Sequence, residues 1–156
     1  MEQVALRRVR AGDRPFLAHI YAGTRVEELA MLPWTEDQKA AFVAQQFEAQ
    51  DAYYRTHYEG AAFDVIEVGG EPAGRLYVHR GPREIRIVDI ALTPAFRGRG
   101  IGTRLLEAVI AEADDAGRTV SIHVEMNNRA RRLYERLGFR PAGEHGPYVR
   151  MERPPT

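Results

Sequence analysis

A glycine- and arginine-rich run, RGRGIG at residues 97–102, constrains the fold of this chain more than any other segment. The apolar stretch at residues 85–92 predicts a strand before it, and apolar residues recur at helical spacing over 103–116 after it. The run therefore predicts a strand, a loop and a helix N-terminus in succession. Backbone N–H groups and the helix dipole favour a negative charge at such a terminus. We predict a phosphate site there, most simply for a pyrophosphate.

Two common phosphate-binding motifs do not fit this run. A P-loop has a lysine directly after its last glycine, whereas the only lysine here is Lys39, far upstream. A dinucleotide fingerprint spaces its glycines Gly-x-Gly-x-x-Gly, and Thr103 stands at the third position. The pattern that remains is Arg/Gln-x-x-Gly-x-Gly/Ala, matched by Arg97, Gly100 and Gly102. At this point the chain resembles the GNAT superfamily of N-acetyltransferases.

A second segment strengthens the resemblance. Residues 127–139, NNRARRLYERLGF, follow another predicted strand and are similar to the family's Asn-x-x-Ala-x-x-Leu-Tyr…Gly-Phe element. The resemblance is clear over about residues 85–139 and weaker before them. It implies an α/β (α+β) fold with a mixed, twisted, mostly antiparallel sheet of six to seven strands and about four flanking helices. We expect a single domain over residues 1–152 and a frayed tail over 153–156.

The resemblance implies that the chain binds acetyl-coenzyme A (acetyl-CoA) and moves the acetyl group to a primary amine by direct transfer in a ternary complex. In the family, the pyrophosphate lies on the glycine-rich loop, while the pantetheine arm pairs with the preceding strand and contacts the motif asparagine. The expected cofactor-binding residues are Ile90, Ala91, Leu92, Arg97, Gly98, Arg99, Gly100, Ile101, Gly102, Thr103, Asn127 and Tyr134.

Simpler roles are open for several of these residues. The strand residues 90–92 can serve as core residues, alone or in addition. Arg97 and Arg99 can equally be solvated surface arginines, and Asn127 can cap the following helix. A coenzyme A-binding module without catalysis, used for regulation or interaction, is the alternative function.

The resemblance makes Tyr134 the catalytic tyrosine. Its phenol is protonated at neutral pH and can donate a proton to the leaving thiolate, although it can also be a tyrosine packed on the inner helix face. Asp89 lies in an apolar strand, where a carboxylate is costly unless it is paired or functional. It is a candidate general base and equally a member of a structural ion pair, for example with Arg86. His123 and Glu125 could act as bases through water, or be ordinary strand residues.

Composition narrows the class of partner and of site. The chain has 22 basic and 22 acidic residues and no net charge, which argues against duplex DNA or an anionic membrane as partner. It has no cysteine, hence no thiolate metal site and no cysteine acyl carrier. The histidines show no metal-ligand spacing. We expect no metal, a cytoplasmic location, and a monomer or homodimer; the excess of arginine over lysine hints at a bacterial source.

The acceptor site is expected in the first half of the chain, which in the family covers the sheet. Residues 29–34 and 53–59 are aromatic-rich and suit a small-molecule pocket, although they can equally be core and surface helix residues. Glu27, Glu28 or Glu59 could attract an ammonium group. The acceptor is a small-molecule or peptide amine; polyamines, amino acids, aminoglycosides, peptide N-termini and protein lysines all fit the sequence.

Overall fold

The computed structural model describes residues 3–126, 128 and 130–156. Within them the chain forms seven strands and five α-helices, with short 3-10 turns at Ala11–Asp13 and Pro94–Phe96. The elements in chain order are β1 (Val4–Arg8), α1 (Arg14–Gly23), α2 (Val26–Ala30), α3 (Glu36–His57), β2 (Ala62–Val68), β3 (Glu71–Arg80), β4 (Glu84–Leu92), α4 (Ile101–Ala116), β5 (Thr119–Glu125), α5 (Arg131–Arg136), β6 (Arg140–His145) and β7 (Tyr148–Arg153).

The strands form one mixed sheet in the order β1-β2-β3-β4-β5-β7-β6. Neighbouring strands are antiparallel, except that β4 and β5 run parallel and are joined by the crossover helix α4. This confirms the mixed, mostly antiparallel sheet expected from the sequence. The helices exceed the expected four because residues 26–30 form the separate short helix α2.

Local sequence signals explain where the helices begin and end. At the start of α3 the Gln38 amide donates to Thr35 Oγ1 at 3.1 Å, and the Thr35 amide donates to Gln38 Oε1 at 2.9 Å. This is a capping box, and Thr-x-x-Gln at residues 35–38 matches its usual sequence pattern. Gly117 ends α4 with a left-handed backbone, φ 67°, as expected for a helix-terminating glycine.

Apolar residues cover both faces of the sheet. On one face, α1 packs against α3 through Leu17, Ile20 and Tyr21 around Phe47. On the other face, α4 covers the centre of the sheet with a larger cluster. Its buried members include Ile85, Ile87, Leu105, Leu106, Val109, Val120, Ile122 and Met151.

The strands β4 and β5 part in the middle of the sheet. Parallel pairing joins residues 84–87 to 119–122 and, in the described chain, extends no further, although both strands continue. On its other side, β4 pairs with β3 along its length, with a register shift that leaves Val88 as an extra residue between Ile87 and Asp89. A bulge of this kind bends a strand and re-aims its side chains. The edge of β4 toward β5 is therefore open from Val88 onward.

The C-terminal residues are held against α4. Arg153 lies in β7, where its guanidinium donates to the Leu137 carbonyl at 2.9 Å and to Asp114 Oδ1 at 2.8 Å. The Thr156 amide and hydroxyl each donate to the Asp114 carboxylate at 3.1 Å. The expected frayed tail over 153–156 is instead tied down, because one helix carboxylate bonds two of its residues.

No helix in the described part of the chain has both the length and the apolar character needed to cross a bilayer.

Candidate active site

A cleft of about 270 Å³ opens where β4 and β5 part. The bend at Val88 and the end of strand pairing leave this space between the two strands, and α1, α3 and α5 close it from the sides. The structure thus brings the two expected catalytic residues to one cavity. Its walls include Asp89, Ile90 and Ala91 of β4, His123 and Glu125 of β5, and Tyr134 of α5.

Asp89 forms an ion pair on the floor of this cleft. Arg75 of β3 donates from Nη2 to Asp89 Oδ2 at 2.7 Å, and the Tyr54 hydroxyl donates to the same oxygen at 3.0 Å. Arg75 also donates to Gln50 Oε1 at 2.9 Å. No described residue hydrogen-bonds Asp89 Oδ1. The carboxylate is therefore held by one oxygen while the other is available to a ligand.

The arginine named from the sequence as a partner for Asp89, Arg86, is not its partner. Arg86 lies before the Val88 bulge and extends sideways to β5, where it donates to Ser121 Oγ at 3.1 Å. Arg75 occupies the same sheet face as Asp89 on the neighbouring strand. The ion pair thus follows the register between β3 and β4, which the order of residues along β4 does not reveal.

Tyr134 is nearly buried on the opposite wall, with 6% of its surface exposed. Its ring packs edge-on against Phe139, with centroids 5.9 Å apart. Burial, helped by the negative charge of Asp89, raises the pKa of Tyr134 to about 12. The phenol is therefore protonated at neutral pH and is chemically able to donate a proton into the cleft.

The glycine-rich loop lies at the end of β4, next to the cleft. Gly98 and Gly100 have φ values of 74° and 77°, in the left-handed region that glycine adopts most readily. Gly100 caps α4, so the helix begins at Ile101, two residues before the expected start at Thr103. Ile101, Gly102 and Thr103 thus form the first turn, whose amides have no partner within the helix. This is the geometry of an anion site.

The loop arginines hold the loop in shape. Arg97 Nε donates to the Leu92 carbonyl at 2.9 Å. The Arg99 guanidinium lies over the Phe96 ring, 5.1 Å from its centroid. Both side chains therefore contact the protein itself, so the amides of the first turn of α4 are the groups that most directly suit a phosphate.

The strand residues expected to contact the pantetheine arm also belong to the core. Ile90 and Leu92 pack against the α4-side cluster, whereas Ala91 packs against the α1–α3 cluster. Alternate peptide groups along this stretch face the open edge of β4, whereas the Ala91 carbonyl faces β3. A Cβ atom on Gly74 of β3 would come within 2.1 Å of the Ala91 carbonyl oxygen. Gly74 is thus required for the close approach of β3 to this part of β4.

The remaining expected residue, Asn127, lies outside the described residues. Its neighbour Asn128 accepts a hydrogen bond from the Ala130 amide at 2.8 Å on Oδ1, before α5 begins. Among the residues that the structure describes, no group of three or more His, Asp or Glu side chains is placed to hold a metal ion.

The sequence matches a known family over most of its length. The model described as the Acetyltransferase (GNAT) family matches residues 24–139. The chain belongs to this family. It is therefore an acetyltransferase whose matched region contains α3, the strands β2–β5, the glycine-rich loop and Tyr134.

Curated relatives of this GNAT acetyltransferase carry names of N-acetyltransferases. A Bacillus subtilis protein assigned as a ribosomal protein bS18-alanine N-acetyltransferase is 28% identical over 145 residues, covering 90% of this chain and 83% of the relative. The N-alpha-acetyltransferase RimI of Mycobacterium tuberculosis is 32% identical over 108 residues, covering 67% of this chain and 65% of that protein.

Solved structures of similar fold cover nearly the whole chain. The PaiA N-acetyltransferase of Thermoplasma acidophilum, solved in complex with coenzyme A, aligns with a TM-score of 0.73 at 14% identity over 97% of this chain and 99% of that one. The ribosomal-protein-S18-alanine N-acetyltransferase of Escherichia coli aligns with a TM-score of 0.62 at 22% identity, over 97% and 94%. At these identities the likeness establishes the fold.

Sequence reasoning missed three residues around Asp89. Arg75 is a charged residue within an apolar strand, and the same pattern had identified Asp89 as a residue that needs a partner or a function. Tyr54 lies inside the aromatic-rich stretch 53–59, but nothing in the sequence links it to Asp89. Gln50 lies on α3 and accepts a hydrogen bond from Arg75, and nothing in the sequence links it to Asp89 either. These contacts arise from packing α3 on the sheet, so only the pair of opposite charges was available from the sequence.

Proposed function

We propose that this acetyltransferase moves the acetyl group of acetyl-CoA to a primary amine by direct transfer in a ternary complex. The observation that carries the proposal is the parting of β4 and β5 beside the loop that begins α4. This places an open strand edge, an anion site and a cleft with titratable groups side by side. The absence of cysteine from the sequence supports direct transfer, since no thiol is present to carry the acyl group.

The residues present suit acetyl-CoA. Along residues 90–92, the peptide groups that alternate with those facing β3 lie on the open edge of β4, where their N–H and C=O groups suit the amide groups of the pantetheine arm. The first turn of α4 and the left-handed glycines Gly98 and Gly100 offer amides to the pyrophosphate. We assign Arg97 and Arg99 to support this loop, through their contacts to Leu92 and Phe96.

Bound acetyl-CoA supplies a thioester, whose carbonyl carbon forms the new C–N bond as its C–S bond breaks. Tyr134 has the protonated phenol required to donate to the sulfur that leaves. Its position on the cleft wall beside the open edge of β4 supports this role. The phenol is then reprotonated from solvent.

The attacking amine must lose a proton, and Asp89 is our candidate for the base. Arg75 and Tyr54 hold its Oδ2 in place, so Oδ1 is directed to the acceptor or to an intervening water. His123 and Glu125 line the same cleft and are alternative bases acting through water.

The proposal is tested by calorimetric titration with acetyl-CoA, followed by thiol release against a panel of amines. Because two relatives carry names of N-terminal acetyltransferases, the panel begins with α-amino groups, as free amino acids and as peptide N-termini. We expect saturable binding, and thiol release with one equivalent of acetylated amine. Absence of binding would refute the cofactor site. Thiol release without acetylated product would indicate hydrolysis and refute transfer to an amine.

A further inference from the structure

A second pocket of about 530 Å³ adjoins the cleft at Asp89, beneath the C-terminal half of α3. Four tyrosines line this second pocket: Tyr53, Tyr54, Tyr58 and Tyr148. It shares five lining residues with the first cleft, so the two cavities are adjacent. The shared residues are Gln50, Tyr54, Val88, His123 and Tyr148.

Arg86 lines the second pocket and carries a buried positive charge. Only 7% of its surface is exposed. Its guanidinium donates to Ser121 Oγ at 3.1 Å and contacts the ring nitrogens of His123 at 2.7 and 2.8 Å. Within the described part of the chain, none of these partners is acidic. Arg75, the other buried arginine, has the Asp89 carboxylate beside it.

The surroundings of Arg86 leave this charge uncompensated. Burial and the positive charge of Arg86 lower the pKa of His123 to about 4, so its imidazole is neutral at neutral pH. Glu84, two residues before Arg86, is ion-paired with Arg150 of β7. Burying a guanidinium without an anion is unfavourable. A pocket that retains one is suited to receive the anion from a ligand.

The two neighbouring cavities differ in the charged groups that line them. The first contains the carboxylates Asp89 and Glu125, which suit an amine, and each is paired with an arginine of the same lining, Arg75 and Arg25 respectively. The second contains Arg86 and no acidic residue among its described lining. A molecule that spans them would place its amine near Asp89, beside the open edge of β4, and its anionic group at Arg86.

We propose that the acceptor is a free amino acid, whose carboxylate binds Arg86 in the tyrosine-lined pocket while its amine faces Asp89. This inference rests on the proposed acetyl transfer and names its substrate class. Phenolic side chains present apolar rings and hydroxyl groups, so the pocket favours an acceptor with an aromatic or aliphatic body. Polyamines have no carboxylate, and a peptide bound by its N-terminus has an amide in place of the α-carboxylate, so both are disfavoured.

The test compares amino acids with their carboxamides, which keep the amine and the side chain but lack the negative charge. The pairs are phenylalanine, leucine and 4-aminobutyrate, each with its amide, assayed by thiol release at saturating acetyl-CoA. We expect at least one acid to exceed its amide in kcat/KM by about tenfold or more, the usual effect of one charge-assisted contact. In Arg86→Gln the preference should fall to about one, through KM for the acid, with KM for acetyl-CoA unchanged.

Arg80→Gln is the matched control. Arg80 lies on β3, lines neither cavity, and pairs with Glu112 of α4 at a solvent-exposed position. This variant should keep the preference of the wild type for the acid. Equal loss in both variants would attribute the effect to net charge and overturn the assignment of Arg86.

The inference and the proposed function fail in different ways. Turnover of amides or peptides at least as fast as the acids would overturn the amino acid acceptor and leave acetyl transfer intact. If no amine is turned over, each acid and its amide are titrated into the protein loaded with coenzyme A. If no acid binds more tightly than its amide, the inference is overturned. If Arg86→Gln does not fold, Arg86→Lys replaces it in the test. Lysine retains the positive charge without the planar guanidinium, so the preference for the acid over the amide should be intermediate. An unchanged preference would contradict the role of Arg86.

Discussion

Arg75 and Asp89 face each other across β3 and β4, with 2.7 Å between guanidinium Nη2 and carboxylate Oδ2. Only 3% and 16% of the two side chains are exposed. The pair lies beside the bulge at Val88, where β4 turns away from β5. Its position links the stability of the sheet to the chemistry of the cleft, because removing either charge leaves the other charge buried without its partner.

Replacing Asp89 by asparagine should therefore destabilise the protein. The amide retains hydrogen-bond capacity but leaves the Arg75 charge uncompensated, and we expect a loss of about 3 kcal/mol in the free energy of unfolding. Urea denaturation of Asp89→Asn measures this loss. If Asp89 is also the base, kcat of the folded variant, measured well below its unfolding midpoint, should fall by about 100-fold or more.

Asp64→Asn supplies the control for this measurement. Asp64 pairs with Arg8 at 3.2 Å, but 69% of the Arg8 side chain is exposed. Removing such a pair should cost less than about 1 kcal/mol. Similar losses for both variants would contradict the view that the Arg75–Asp89 pair is effectively buried. A destabilised Asp89→Asn with unchanged kcat would assign Asp89 a structural role alone.

Tyr134→Phe tests the proton donor. The change removes one hydroxyl and keeps the ring that packs against Phe139. We expect kcat to fall by about 100-fold. The Kd for acetyl-CoA, measured by calorimetry, should change by less than about threefold, because the substitution removes no charged contact with the ligand. Parallel losses in kcat and acetyl-CoA affinity would indicate a binding or packing role.

Two substitutions at Gly102 separate the phosphate site from the stability of α4. A Cβ atom there would meet only Leu92 Cδ1, at 3.9 Å. Gly102→Ala should stabilise the helix by about 0.5 to 1 kcal/mol and preserve binding, since the family pattern accepts Gly or Ala. Gly102→Leu should keep the fold and weaken acetyl-CoA about tenfold by obstructing approach to the backbone. Calorimetry measures the acetyl-CoA affinity of both variants, and thermal unfolding measures their stability. Unchanged affinity in Gly102→Leu would refute the loop assignment.

The parts of the site encoded in consecutive residues could be predicted from the sequence. The loop, the helix that follows it and the capping box of α3 depend on local periodicity and on capping residues. The start of α4 at Ile101 was missed by two residues, because a left-handed Gly100 can serve as the cap. Glycine permits this conformation, but the presence of a glycine in the sequence does not show that the conformation is adopted.

Contacts between strands were harder to predict from the sequence. The sequence indicated that Asp89 required a partner or a function, but the choice between Arg75 and Arg86 depends on the β3–β4 register and on the extra residue Val88. That register depends on the turn at residues 81–83, on which face of each strand is buried, and on the bulge that shifts it. The second pocket depends on tertiary packing, since α3 must lie over β4 and β5 before its tyrosines and Arg86 share a cavity.

His123 should make stability depend on pH in a defined window. Burial, followed by the charges of Arg86, His145 and Arg150, lowers its pKa from 6.5 to about 4. Between these values the unfolded chain binds a proton that the folded protein does not, so the free energy of unfolding should decrease as pH falls from about 6.5 to about 4. Urea denaturation at several pH values measures the slope, which should be shallower in His123→Gln.

Asp13 provides a second, separate window that serves as the control. Its hydrogen bond with Arg7 lowers the pKa of the Asp13 carboxyl from 3.8 to about 2, so this contribution is present above pH 3.8 and is lost as pH falls toward 2. Asp13→Asn should therefore reduce the slope below pH 4 and leave the slope above it unchanged. His123→Gln should do the reverse. If the slope between pH 6.5 and 4 were the same in His123→Gln and in the wild type, the folded protein would not keep His123 neutral, and the uncompensated charge inferred for the second pocket would lose one of its supports.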